Sequence, residues 1–98
     1  MKVIVDSGST KADWKFITSD SEIELNTMGF NPVFHNSDQI EAEITKAFTG
    51  KVDFQQEADI YFYGSGCWDK KRKLVIENGL KRAFPKANID VHHDLLGA

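Results

Sequence analysis

Three short runs of two-residue periodicity open the chain before any helical pattern appears, and that order restricts the fold more than any other feature. Lys2-Val3-Ile4-Val5 is β-branched and stops abruptly at Asp6-Ser7-Gly8-Ser9-Thr10, the pattern of a buried strand entering a tight turn. Trp14-Lys15-Phe16-Ile17 alternates apolar with polar and reads as a second strand. After the turn cluster Ser19-Asp20-Ser21, the segment Glu22-Ile23-Glu24-Leu25-Asn26-Thr27-Met28 alternates almost throughout and reads as a third strand with one wet face. Links this short join strands into an antiparallel meander.

The period then changes. Gly29-Phe30-Asn31-Pro32 is irregular, and Asn36 with Gln39 forms a capping-box pattern that predicts a helix running to about Gly50. Ile40, Ile44, Ala47 and Phe48 make its apolar face, and Gly50 suits its C-terminal stop. Residues 51–57 read as a polar linker. Ala58-Asp59-Ile60-Tyr61-Phe62-Tyr63 is mostly apolar, as an interior strand is. A second helix is predicted over 70–84, with Leu74, Leu80 and Phe84 inside and Pro85 barring its extension. Asn88-Ile89-Asp90-Val91-His92 reads as a fifth strand, and Asp94-Leu95-Leu96-Gly97-Ala98 as the first turn of a third helix. The order β-β-β-α-β-α-β, with the stub of a third helix, implies a mixed five-stranded sheet of the α/β class on the ribonuclease H-like plan, with right-handed crossovers. A pattern that ends as a helix begins reads as the N-terminal part of such a domain.

Ninety-eight residues with 41% hydrophobic and 28% charged side chains suit one small globular unit and exclude two cored domains. The single Cys67 excludes an internal disulfide framework. The longest apolar runs, residues 3–5 and 60–63, are far too short for a membrane span, and Asp6 interrupts the start too early for a signal peptide, so a soluble cytoplasmic protein is expected. A net charge of -3 argues against a nucleic-acid partner, whose affinity a basic face usually supplies.

The polar loop Asp6-Ser7-Gly8-Ser9-Thr10-Lys11 is the first candidate for chemistry. A P-loop leads from strand to helix over a longer glycine frame, whereas here the next element is a strand, so the motif is a hairpin loop. It still suits phosphate: Gly8 lets the backbone approach a ligand, Ser9 and Thr10 offer hydroxyls and amides, and Lys11 adds positive charge. Asp6, at the strand end, suits magnesium held through water. An ordinary hairpin rich in turn formers fits the same residues.

Asp-x-Gly-x-Thr-Lys between the first two strands resembles the first phosphate motif of the superfamily of actin, heat-shock chaperones and sugar kinases. The nearest resemblance is to the N-acetylglucosamine kinases and the benzoyl-CoA reductase activator-type ATPases, whose loop usually reads Asp-Gly-Gly-Gly-Thr-Lys. Ser7 and Ser9 replace two of those glycines, and a positive φ at Ser7 would be strained. Trp14 stands for the family's apolar residue soon after the lysine. Gly29-Phe30-Asn31-Pro32 sits where such kinases place a sugar-contacting asparagine. Tyr63-Gly64-Ser65-Gly66-Cys67 corresponds to a Ser/Gly-rich sugar loop, and His93-Asp94 with the small-residue stretch after it to the family's aspartate and following helix. The resemblance spans the whole chain in order. It implies ATP and Mg²⁺ as cofactors, a small-molecule sugar as substrate, Asn31, Ser65 and Gly66 at the sugar, and Asp94 as general base. A homo-oligomer is expected, and neither a nucleic acid nor a membrane as partner.

Each candidate also has a plainer reading. Asp94 could cap a helix, Asn31 could be a turn residue, and Cys67 reads as a buried thiol without an activating partner. His92 and His93 alternate along a strand and make a poor metal pair. Asp69-Lys70-Lys71-Arg72-Lys73 reads as a solvated basic helix start. The activator-type ATPase, a ribonuclease H-like nuclease using Asp6 and Asp94, and a non-catalytic regulatory domain are the rival functions. The second phosphate loop and the adenosine site are expected beyond Ala98, so these 98 residues alone are expected to be inactive.

Overall fold

In a computed structural model, which describes residues 1–8, 10–31, 35–64, 67 and 69–92, the two-residue alternation of the strands sorts almost every side chain to one of two sheet faces. The elements are β1 (Lys2–Ser7), β2 (Lys11–Ile17), β3 (Glu22–Met28), α1 (Ser37–Phe48), β4 (Ala58–Gly64), α2 (Lys70–Ala83) and β5 (Ala87–His92). They form one five-stranded sheet in the order β3-β2-β1-β4-β5. The pairs β1–β2 and β2–β3 are antiparallel, and β1–β4 and β4–β5 are parallel. This is the mixed α/β sheet expected from the element order. The stub of a third helix lies outside the described residues.

The inner face carries Val3 and Val5 of β1, Ala12, Trp14 and Phe16 of β2, Ile60 and Phe62 of β4, and Val91 of β5, all buried. These join Ile40, Ile44 and Phe48 of α1 and Ile76, Leu80 and Ala83 of α2 in a single core. Both helices therefore cover the same face. The opposite face holds Lys2, Ile4, Asp6, Lys15, Asp59 and Tyr61, and no described helix covers it.

The strands outrun their apolar runs. β1 continues through Asp6 and Ser7, and β2 begins at Lys11, three residues before Trp14. Backbone pairing, from Lys2 opposite Ile17 to Ser7 opposite Ala12, satisfies peptide groups whatever the side chains are. Residues 51–57 are more than a polar linker, because Val52 and Phe54 pack on the core and the Phe54 ring lies 5.3 Å from that of Phe84.

The capping box of α1 is present. Asn36 Oδ1 accepts the Gln39 backbone N–H at 2.8 Å, and Gln39 Oε1 accepts the Asn36 N–H at 2.9 Å. Gly50, just past the helix end, has φ 82°, where a side chain would be strained. Asp69 caps α2: its carboxylate accepts the Arg72 backbone N–H at 2.8 Å and the Arg72 guanidinium at 2.7 Å. The backbone hydrogen bond first, helped by the Arg72 charge, holds this carboxyl below the usual range. One expectation fails. Leu74 is 43% exposed, because Ile76, Gly79, Leu80 and Ala83 define the buried stripe and residue 74 projects from the other side of the helix.

Gly79 makes the close approach of the two helices possible. A Cβ there would lie 2.7 Å from Ile40 Cγ2 and 3.2 Å from the Ser37 carbonyl oxygen. Gly79→Ala should gain about 1 kcal/mol of helix propensity but lose ~1–3 kcal/mol to overpacking. Net destabilisation is expected, seen in thermal unfolding as a midpoint lowered by several degrees. An unchanged or raised midpoint would mean that the helices separate at little cost.

Candidate functional site

Alternation and register together decide which polar residues meet. Ser7 and Gly64 end the parallel strands β1 and β4 side by side, and β5 ends at His92 beside Tyr63. Lys11 opens β2 opposite Met28 at the end of β3. The hairpin loop, the segment after β3 and the continuations of β4 and β5 thus all leave from one edge of the sheet, the edge where α/β proteins collect ligands.

The loop is tighter than its motif implies. Asp6 and Ser7 belong to β1 and Lys11 to β2, which leaves residues 8–10 to turn the chain. The Gly8 N–H donates to the Lys11 carbonyl at 2.8 Å and closes the turn. Among the described residues no non-glycine residue has a positive φ, so the strain expected at Ser7 is absent: in a strand the residue is extended. Among the described residues, a Cβ at Gly8 would meet only the Lys11 carbonyl, at an ordinary 3.4 Å. Gly8, Thr10 and Lys11 are all exposed. Ser9 lies outside the described residues.

Asp6 projects from the outer face in a row that crosses the whole sheet: Asn26, Asp13, Asp6, Tyr63 and His92, one from each strand. Asp6 and Asp13 are directly opposed, with Cβ atoms about 5 Å apart for such a pair, and like charges so placed repel. Asp13 is relieved on two sides. Lys11 Nζ lies 3.5 Å from its Oδ1, in a pair whose side chains are 65% and 61% exposed, and the Asn26 amide donates to the same oxygen. An ion pair this exposed contributes only about 0–1 kcal/mol, so Lys11 is readily released to another anion. The Asp6 carboxylate has no ion pair or side-chain hydrogen bond among the described residues. Beyond it, Tyr63 and His92 stack with centroids 5.1 Å apart, and His92 Nε2 lies 3.1 Å from Asp90. A cavity of about 510 Å³ opens on this face, lined by Ile4, Asp6, Lys11, Asp13, Lys15, Glu24 and Asn26 among others. Among the described residues, no group of three or more His, Cys, Asp or Glu is arranged to hold a metal ion.

Asn31 is half-buried and fixed through its backbone. Its N–H donates to His35 Nδ1 at 3.2 Å, and its carbonyl accepts the His35 N–H at 2.9 Å. One residue earlier, the Phe30 N–H donates to Ser7 Oγ at 2.8 Å, which ties this segment to the end of β1. The structure therefore brings Asp6, Gly8, Thr10, Lys11 and Asn31 to one edge. Ser65, Gly66 and Asp94 lie outside the described residues; the chain reaches the first two directly from Gly64.

The sequence alone assigns no role at this edge to Asp13, Tyr63 or His92, and it places Ser7 in the loop rather than in the strand. Asp13 and Ser7 are found once the strands are extended through the polar motif and the alternation is counted outward from Trp14 and Val5. Tyr63 and His92 emerge only from the register, because nothing local says which strands lie side by side. α2 opens shortly after β4 ends and closes where β5 starts beside Ala58, so its basic start lies at this same edge, on the inner-face side of the sheet.

Cys67 is buried, as expected. Burial pushes its thiol up to about 11, with the charge of Lys73 acting in the opposite direction. Reaction with a disulfide reagent at pH 7.5 should be on the order of 100-fold slower than for a free thiol, and should recover in denaturant. Because the folded thiol holds its proton more tightly than the unfolded one, its contribution to stability should be complete below pH 9 and fade between about 9 and 11. Rapid native labelling at neutral pH would contradict the burial.

No family model and no curated protein matches the chain. Among solved structures it is similar to Saccharomyces cerevisiae Dom34, a translation termination-like factor involved in RNA quality control pathways and interacting with Hbs1. The match has 16% sequence identity and a TM-score of 0.49, and covers 98% of this chain but 30% of that one. Similarity at that level says nothing about activity. Among the described residues no helix is long and apolar enough to cross a membrane.

Proposed function

We propose that the chain is the N-terminal part of an ATP-dependent sugar kinase, whose substrate is an amino sugar such as N-acetylglucosamine. The observation that carries this reading is the convergence at one sheet edge of the loop after β1, the segment after β3 and the ends of β4 and β5. In this reading Gly8, Ser9, Thr10 and Lys11 give the nucleotide phosphates amides, hydroxyls and one cation. Asn31, Ser65 and Gly66 contact the sugar, and Asp94 accepts the proton of the attacking hydroxyl. Asp6, an exposed carboxylate opposite Asp13 at the end of β1, would hold Mg²⁺ through water, with phosphate oxygens completing its ligands. The metal would neutralise phosphate charge. Phosphoryl transfer depends mainly on positioning and charge stabilisation, which these parts supply in kind. The adenosine site and second phosphate loop belong to chain beyond Ala98, and the enzyme would work in the cytoplasm, where its ATP is.

The test is ADP release by the complete protein with ATP, Mg²⁺ and a panel of sugars, with the phosphorylated sugar identified by mass. Sugar-dependent release is expected, greatest with an amino sugar. Release that ignores every sugar would overturn the kinase reading in favour of the activator-type ATPase.

Asp94→Asn separates a general base from a helix cap, because asparagine caps about as well as aspartate. Turnover should fall roughly 10²–10⁴-fold while ATP affinity stays the same. Near-normal turnover would mean that the base is another residue. Asp6→Asn should leave the sugar KM alone and raise the Mg²⁺ concentration required for half-maximal rate; an unchanged magnesium requirement would remove Asp6 from the metal site.

A further inference from the structure

The hydroxyl of Ser7 links the end of β1 to the segment that carries Asn31. Alternation along β1 turns Ser7 to the inner face with Val3 and Val5, and it is 3% exposed. A buried hydroxyl needs partners, and Ser7 finds them 23 residues away. Its Oγ accepts the Phe30 N–H at 2.8 Å and lies 3.3 Å from the Phe30 carbonyl oxygen, to which it can donate. The Gly8 carbonyl, at 3.4 Å, is the alternative acceptor. One side chain thus serves the N–H and C=O of a residue that lies past the end of β3 and outside the sheet ladder.

The link is stiff on both sides. Phe30 is fully buried, with its ring edge-on to Trp14 at 6.2 Å. Asn31 follows directly and is closed onto His35 by the reciprocal pair of hydrogen bonds. On the other side, Ser7 adjoins Gly8, whose N–H closes the hairpin. A displacement of the loop is therefore passed through this hydroxyl to Phe30 and on to Asn31.

We infer that Ser7 is a positioning residue that couples the phosphate loop to the sugar-contacting segment, so that nucleotide and sugar each strengthen binding of the other. The inference rests on the kinase reading above. Because the link is stiff, the position the loop takes around phosphates is passed through Ser7 and Phe30 to Asn31, so the second ligand meets a segment already set in place. Such coupling is reciprocal, and values of 5–150-fold are usual.

The experiment measures the sugar KM of the complete protein at limiting and saturating ATP, for wild type, Ser7→Ala and Ser7→Thr. In wild type the sugar KM should fall at least about 5-fold as ATP saturates. Ser7→Ala should raise the sugar KM roughly tenfold and abolish its dependence on ATP, with kcat within about threefold, because small misplacement of a binding group weakens engagement. Ser7→Thr keeps the hydroxyl and should restore the coupling. A Ser7→Ala enzyme with wild-type sugar KM and ATP dependence would overturn the inference, as would one that loses kcat and both KM values together with its thermal stability. Amide hydrogen exchange at Phe30 and Asn31 reads the link without catalysis: slow in wild type, fast in Ser7→Ala. Equal exchange would overturn the link itself. A wild type that phosphorylates no sugar would refute the kinase reading and, with it, the coupling of ligands, while exchange still reports on the Ser7–Phe30 contact.

Discussion

The packing of Trp14 is the interaction on which the rest of the structure depends. From the inner face of β2 its ring stacks on Phe16 at 6.0 Å, meets Phe48 at the end of α1 at 4.9 Å, and touches Phe30 and Phe84. Its Nε1–H donates to Thr27 Oγ1 at 2.9 Å, so the buried indole leaves no polar atom unserved. One side chain thereby fixes both helices against the sheet and anchors the segment after β3. Removing a tryptophan from such a place costs ~3–5 kcal/mol, a large part of the 5–15 kcal/mol that holds a small domain folded.

The same packing explains why the edge is polar where it is. Once Trp14 and Val5 are turned inward, Asp13 and Asp6 must point outward, and Ser7 must point in. A serine at that inner position is tolerable only because Phe30, held against Trp14, presents a backbone N–H and carbonyl to it. The aromatic core and the polar edge are therefore one arrangement. A change in core packing near Phe30 should be felt at Asn31 before it is felt in the strands.

Charge is sorted by face. Six of the twelve basic residues lie on α2, on the side of the sheet away from the outer face. The outer face carries Asp6, Asp13, Glu22, Glu24, Asp59 and Asp90, partly offset by Lys2, Lys11 and Lys15. Lys15 lies 3.6 Å from Glu22 and 3.7 Å from Glu24, and Lys11 3.5 Å from Asp13, so both lysines of β2 already face carboxylates.

The sequence by itself determined the element order, the hairpin after the first strand, the capping box at Asn36 and the stop at Gly50. Each depends on residues within a few positions of one another: alternation, a side chain reaching its own helix, a glycine at a positive φ. Strand ends were less legible, because ladder hydrogen bonds carried β1 through Asp6 and Ser7 despite their polarity. Leu74 misled for a related reason: an apolar residue is not a buried one unless its helix position faces the core. Only the tertiary structure decided that Asp6 stands between Asp13 and Tyr63, that Tyr63 stacks on His92, and that Ser7 holds Phe30. Those meetings depend on which strands pair and in what register, and long-range pairing is set by the closure of the whole core around Trp14, which no local stretch of the chain encodes.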